Sequence, residues 1–98
     1  MEKRKFDLRP IDGRKSFYGK AIVFDDTENH TAYLFSYGTI VATYNYNAMI
    51  FRRIWPGYSV TTMRHINAFR QYFGLHLLNK AQWSGLRPYE PQTGVLIP

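Results

Sequence analysis

Four stretches in the first half of the chain are rich in β-branched and aromatic residues and are separated by polar segments, a pattern typical of strands. They cover residues 6–8, 17–25, 31–44 and 49–55. Polar residues 25–30 and the asparagine-rich residues 45–47 predict chain reversals between these strands. Gly38 interrupts the third stretch, but β-branched residues resume at Thr39. The sequence therefore predicts a bulge or bend at Gly38 and no reversal.

The apolar period changes from two to between three and four after the Pro-Gly turn at residues 56–57, which predicts an amphipathic helix. Its apolar positions are Met63, Ile66, Phe69 and Phe73. Hydroxyl side chains suited to cap its start are those of Ser59, Thr61 and Thr62. Gly74 stands where a helix of about twelve residues would end in a left-handed C′ glycine.

A second, short helix is predicted over residues 80–86, capped by Asn79 and with Trp83 and Leu86 directed inward. A single domain is expected over residues 1–98, with residues 1–5 and 87–98 as flexible or extended tails. The order of elements predicts an α+β fold. Its small antiparallel sheet, a meander of three to four strands, packs against one amphipathic helix and a short final helix.

The composition excludes several classes of function but does not identify one. The chain has 98 residues, 17% aromatic residues and no cysteine. The absence of cysteine excludes disulfides, thiolate nucleophiles and zinc ribbons. No apolar run approaches the ~18 residues of a membrane span, and the charged first residues do not resemble a secretory signal. The expectation is a cytoplasmic protein without a membrane partner.

The charge of the chain is unevenly distributed. The formal net charge is +6, yet residues 21–50 hold three acidic residues and no lysine or arginine. Between Glu28 and Glu90 there is no acidic residue, whereas six lysines and arginines lie between them. Such an excess favours an anionic partner, nucleic acid above all. The alternative is that a small protein is moderately basic for solubility alone.

Two motifs resemble those of a known family. Residues 36–42 read Ser-Tyr-Gly-Thr-Ile-Val-Ala, and residues 57–69 read Gly-Tyr-Ser-Val-Thr-Thr-Met-Arg-His-Ile-Asn-Ala-Phe. Together with Lys80 and Trp83, they are similar to a family of small uncharacterised proteins from phages, conjugative elements and genomes of Gram-positive bacteria. The resemblance covers residues 36–86 and implies a mobile-element setting. It supplies no reaction.

The start of the predicted main helix is a candidate anion site. Exposed N–H groups there favour an anion, and threonine hydroxyls with Arg64 are suited to hold a phosphate. The polar face of the helix and the preceding strand would extend this patch. The candidate nucleic-acid or anion contacts are Arg52, Arg53, Thr61, Thr62, Arg64, Asn67, Arg70 and Gln71. The alternative is that the hydroxyls only cap the helix.

Candidates for a wider contact surface are aromatic residues and one histidine: Tyr44, Tyr46, Tyr58 and His65. His65 falls at the border of the apolar helix face, where a bond to a backbone carbonyl is expected. No acid or nucleophile near it in sequence would make it a general base. The three histidines share no metal-ligand spacing. No catalytic residue, metal or cofactor is therefore predicted.

Two classes of function are favoured, and an enzyme ranks third behind them. The first is a small basic nucleic-acid-associated accessory protein of phage or mobile-element origin. The second is a protein–protein interaction module, such as a phage-encoded modulator or inhibitor of a host or defence complex. An acidic protein or a nucleoprotein would suit its charge. Homodimerisation through an open sheet edge is compatible with both.

Overall fold

A computed structural model describes residues 3–11 and 17–89 of the chain. Five strands form one antiparallel sheet in the order of the sequence, and two helices follow. The elements are β1 (Lys3–Asp7), β2 (Ala21–Asp26), β3 (Thr31–Ser36), β4 (Thr39–Asn45), β5 (Ile50–Arg53), α1 (Val60–Tyr72) and α2 (Lys80–Ser84). The α+β meander is confirmed, with one strand more than the three to four predicted.

The extra strand arises at Gly38, where the predicted bend is wrong. Tyr37 and Gly38 both have positive φ, 53° and 80°, and Ser36 pairs with Thr39 across them. This is the two-residue turn whose twist matches an antiparallel hairpin. The irregularity lies inside the β3–β4 pair instead, where Val41 is the extra residue between two successive pairs.

Alternation along the strands gives the sheet two different faces. The inner face carries small and aliphatic side chains that are fully buried, among them Ala21, Val23, Ala32, Leu34 and Ala42. Both described helices pack on this face, since their buried residues belong to the same apolar cluster. The side chains that alternate with them point to the other side, which we call the outer face.

Helix α1 confirms the predicted periodicity and caps. The Ser59 side chain accepts a hydrogen bond from the backbone N–H of Thr62. At the other end, Gly74 has a φ of 78°, and the N–H of Leu75 reaches back to the carbonyl of Arg70 at 2.8 Å. These contacts satisfy orphan backbone groups at both ends of the helix, so its boundaries follow from local sequence.

Helix α2 ends two residues earlier than predicted. The Asn79 side chain accepts a hydrogen bond from the backbone N–H of Gln82, and the Gln82 side chain accepts one from the backbone N–H of Asn79. The two bonds form a capping box at the start of the helix. Trp83 is fully buried in the core, as predicted, and its indole N–H donates to the carbonyl of Gly57 at 2.8 Å. Leu86 does not point inward: it is exposed beyond the end of the helix.

Parts of both predicted tails belong to the sheet. Residues 3–5 are the first three residues of β1. The backbone N–H of Tyr89 donates to the carbonyl of Arg53 at 2.7 Å, so the chain returns to the edge of β5. Residues 1, 2 and 90–98 of the predicted tails lie outside the described residues.

Candidate nucleic-acid interface

The predicted patch of arginines around the start of α1 is not assembled. In β5, Arg53 pairs with Ala42 and points to the inner face, whereas Arg52 pairs with Thr43 and points to the outer face. Because α1 packs on the inner face, the sheet separates Arg52 from Arg64. The candidate residues must therefore be considered face by face.

Arg53 has a structural task. It is buried, its guanidinium lies 4.6 Å from the ring centroid of Trp83, and burial lowers its pKa. The guanidinium donates to five backbone carbonyls at 2.5 to 3.2 Å: those of Trp55, Pro56, Gly57, Trp83 and Leu86. Arg53 thus joins β5, the following loop and α2, and its guanidinium is not available to a phosphate.

Thr62 and His65 form a buried polar cluster with Ser36 of β3. The Ser36 hydroxyl lies 2.8 Å from Nδ1 of His65 and 3.1 Å from the Thr62 hydroxyl. His65 is only 1% exposed, and burial, followed by the charge of Arg64, lowers its pKa to about 4. This corrects the expected border position and carbonyl bond of His65. The cluster fixes the start of α1 to the sheet.

The remaining polar side chains of α1 contact other parts of the protein, and they do so at different places. Asn67 exchanges two hydrogen bonds with the backbone of Leu78, at 2.8 and 2.9 Å. Arg70 donates to the carbonyl of His76 at 2.6 Å and lies over the ring of Phe51. The guanidinium of Arg64 lies over the ring of Phe17, Thr61 is half-buried, and Gln71 is exposed. The contacts of Asn67, Arg70 and Arg64 are thus with three different parts of the fold.

The predicted tyrosine contacts are mostly part of the packing. Tyr44 is buried against Phe73. Tyr46 stacks on the same ring and donates to Asp25 at 2.9 Å; burial, then this hydrogen bond, raises the Tyr46 pKa. Tyr58 remains exposed, with the Lys80 ammonium 4.9 Å from its ring centroid. Of these three tyrosines, only Tyr58 is free to act as a surface contact.

The outer face brings together a set of residues that sequence analysis did not single out. Each of the five strands contributes one residue to a row that crosses the whole sheet, and each residue of the row is paired with the next one on the neighbouring strand. The row reads Lys5, Phe24, Tyr33, Thr43 and Arg52. Two neighbouring aromatic rings thus stand at the centre, and a cation stands at each end. We call this set the aromatic row.

Two further features extend the aromatic row. On the next register level, Ile22 pairs with Phe35, and Phe35 pairs with Ile40, which adds apolar surface beside it. Beyond β5, Arg52 lies 5.1 Å from the ring centroid of Tyr89. The outer face is thus a partly exposed aromatic and aliphatic surface, unlike the polar solvent face of an ordinary antiparallel sheet.

The charges on and around the outer face are mixed, with a cationic excess. Lys5, Lys20 and Arg52 contribute three positive charges. Asp7, opposite Ile22, and Asp26, which accepts a hydrogen bond from Asn29 at 2.8 Å, contribute two carboxylates. An anion on the aromatic row would meet the cations at its two ends, because both carboxylates belong to neighbouring register levels.

Two features are absent from the part of the chain that the structure describes. Among residues 3–11 and 17–89, no three metal-ligating side chains come together. No helix in these ranges has the length and apolarity required to cross a bilayer.

Comparison with known proteins places the chain in a family without giving it a function. Residues 6–85 match the model of a family of unknown function (DUF8033), so the chain belongs to that family. No curated protein and no solved structure matches the chain. The case for a function therefore rests on the chemistry of the outer face.

Proposed function

We propose that this protein is a small non-enzymatic nucleic-acid-binding protein, an accessory protein of a phage or mobile element, and that its outer sheet face binds single-stranded nucleic acid. The observation that carries the proposal is the aromatic row, with Phe24 and Tyr33 paired at its centre between Lys5 and Arg52. Both rings are half-buried. Aromatic rings on adjacent strands are the surface on which unpaired bases stack in sheet-based RNA-binding domains.

Stacking and charge have separate roles in this proposal. Each base stacked on an aromatic side chain contributes about 1–3 kcal/mol and requires no particular sequence. Lys5 and Arg52 are positioned for the phosphates on either side, one at each end of the row. With three cations engaged, including Lys20, the log–log dependence of affinity on salt should have a slope of about −2.

The test is fluorescence anisotropy with a labelled random single strand at about 50 mM salt, where electrostatic contacts are strong. Tyr33→Ala should weaken binding about 5- to 150-fold, the equivalent of one lost stack. Tyr72→Ala removes an exposed ring from the helical side and is the matched control, expected to bind as the wild type does. No binding of the wild type, or equal effects of the two variants, would refute the proposal.

A second set of variants separates charge from stacking. Lys5→Ala should weaken binding and flatten the salt slope by about 0.7, whereas Lys80→Ala on α2 should change neither. Tyr33→Ala should leave the slope unchanged. A slope that both lysine variants lower equally would indicate diffuse attraction to the whole +6 chain instead of an interface on the outer face.

A second candidate function, protein binding, is favoured by a different observation. Tyr18 and Tyr37 each precede a glycine in a turn with positive φ at both positions, and their side chains are 69% and 57% exposed. The two turns are adjacent, because the N–H of Tyr37 donates to the carbonyl of Lys20 at 2.9 Å. Asparagine is the usual residue at such a position, and a bulky ring there is an outlier. Two exposed tyrosines on adjoining turns are suitable anchors for an acidic protein partner.

The second candidate is tested with the double variant Tyr18→Asn and Tyr37→Asn, which suits the left-handed backbone. Its melting temperature is compared with that of the wild type, because the Tyr37 ring lies 5.5 Å from the ring of buried His65. A nuclease-resistant partner captured by the wild type and lost with this double variant would support protein binding. Capture that survives the substitution, or that nuclease abolishes, would exclude these turns as the contact.

A further inference from the structure

One part of the outer face is concave. Beside the aromatic row lies a hollow of about 310 Å³. It is lined by Lys5, Lys20, Ile22, Phe24, Phe35 and Gly38. Its volume is at the lower end of the range for small-ligand pockets. Its walls combine aromatic and aliphatic surface with two ammonium groups, which is the composition expected for a flat apolar ring that carries an anionic group.

We propose that this hollow binds one nucleotide, with its base between Phe24 and Phe35 and its phosphate between the ammonium groups of Lys5 and Lys20. The inference rests on the proposed function and deepens it, because it names a nucleoside monophosphate unit as the ligand of one defined site. A base paired in a duplex could not enter the hollow, so the site selects unpaired nucleotides.

The register places the two phenylalanines close enough for a base to contact both. Phe24 pairs with Tyr33, and Ile22 pairs with Phe35, so Phe24 and Phe35 are diagonal neighbours on β2 and β3. Diagonal neighbours on one face are about 7–8 Å apart. That separation is between backbones, so the side-chain rotamers of the two residues set the gap between their rings, which must be about twice 3.5 Å for a flat ring in contact on both sides. Ile22 is opposite Phe35 on the neighbouring strand and two residues before Phe24 on β2, and it adds apolar lining to the hollow.

The β3–β4 turn borders the hollow at the end of the sheet. Gly38 lines that end, and the position of a Cβ atom there would have no heavy atom within 4 Å. Lys20 and Lys5 are both exposed, so their ammonium groups can turn toward a phosphate with little loss of solvation. Asp7 faces Ile22 in register and is the nearby carboxylate that opposes an anion.

The experiment is an amide NMR titration of the full chain with AMP, with adenosine and inorganic phosphate as separate probes. AMP is expected to shift the amides of Ile22, Phe35 and Gly38, and each separate probe is expected to bind more weakly than AMP. Lys20→Ala should weaken AMP binding about two- to fivefold, as loss of one exposed ion pair does. Asp7→Asn should strengthen it about twofold, because like-charge repulsion is removed.

A space-filling variant isolates the hollow from the rest of the outer face. Ile22→Trp should abolish the AMP-induced shifts, whereas Ile50→Trp, on the same face but outside the lining, should leave them unchanged. Both positions are on the outer face, so a melting temperature near that of the wild type confirms that each variant is folded.

The outcomes separate this inference from the proposed function. If oligonucleotide binding depends on Tyr33 but AMP shifts none of the amides at the hollow, the nucleotide site is refuted and the stacking surface stands. If phosphate alone binds as tightly as AMP, the lysines bind an anion without a base, and the inference also fails. If neither AMP nor oligonucleotide binds, both proposals are refuted.

Discussion

Arg53 is the residue whose replacement should most damage the fold without touching the outer face. Its guanidinium makes five hydrogen bonds to carbonyl oxygens of two chain segments, and it stacks on the ring of Trp83. The informative change is Arg53→Lys, which keeps the positive charge but replaces a planar fork with a compact ammonium. Arg52→Lys, one residue earlier on the outer face, is the matched control.

The magnitude follows from counting acceptors. An ammonium has three donors, so at least two of the five carbonyls lose their partner. A buried acceptor left unpaired costs about 1–3 kcal/mol. Loss of the guanidinium–indole contact adds about 1 kcal/mol. Burial, which lowers the pKa of Arg53, gives no offset, because an ammonium is more strongly hydrated than a guanidinium and remains buried at the same place. The expected loss for Arg53→Lys is about 3 kcal/mol, or roughly 15 °C in melting temperature for a domain of this size.

The assay is urea unfolding followed by tryptophan fluorescence, since Trp83 lies directly under the guanidinium. Arg52→Lys should change the free energy of unfolding by less than about 0.5 kcal/mol, as a surface substitution does. If Arg53→Lys loses less than about 1 kcal/mol, water replaces the missing donors and the role of Arg53 as a clasp between β5 and α2 is wrong.

Three other substitutions or conditions probe the parts that position the outer face. Lowering the pH from 7 to 5 should reduce the free energy of unfolding by about 2 kcal/mol. The pKa of His65 is about 4 in the folded chain, below its ordinary 6.5, so protonation favours the unfolded chain. A His65→Gln variant, compared with the wild type by urea unfolding, should not show this pH-dependent loss. Gly57→Ala should lower the free energy of unfolding by about 1–3 kcal/mol, since a Cβ atom there would lie 2.6 Å from the ring of Trp55. Gly85→Ala is the control: its Cβ atom would lie 3.4 Å from the nearest atom, so its melting temperature should be nearly unchanged. Asn67→Ala should cost about 2 kcal/mol by leaving two backbone groups without their partner, and a loss under 0.5 kcal/mol would mean that water satisfies them.

The elements that sequence analysis predicted well are those fixed by neighbours in the chain. The bounds of α1 depend on Ser59 at its start and Gly74 at its end, and the capping contacts there span three and five residues. The strand count failed at Gly38 because a Tyr-Gly pair supports either a bulge or a tight turn. Only the pairing of Ser36 with Thr39 distinguishes them.

The site could not be predicted because it depends on which face of the sheet the helix covers. In β5, the sequence alternates Arg52 and Arg53 between faces, and both alternations have apolar companions. Only the five carbonyls around Arg53, which come from residues as far as 33 positions away, decide that Arg53 points inward. The position of a charged residue in a strand therefore does not by itself show which face of the sheet its side chain is on. For this reason the predicted patch of arginines combined side chains from opposite faces.

The outer face can nevertheless be recognised in the sequence from the size of the side chains, although not from their polarity. On β2 and β3 the positions that face α1 include Ala21, Ala32 and Leu34, while the alternate positions include Phe24 and Tyr33. A helix approaches a sheet closely over small residues, and on these two strands the larger rings lie on the opposite side. Aromatic residues that alternate with alanine along two successive strands are thus better candidates for a contact surface than for the core. By that criterion the aromatic row, and not the start of α1, is where a partner of this protein should be sought.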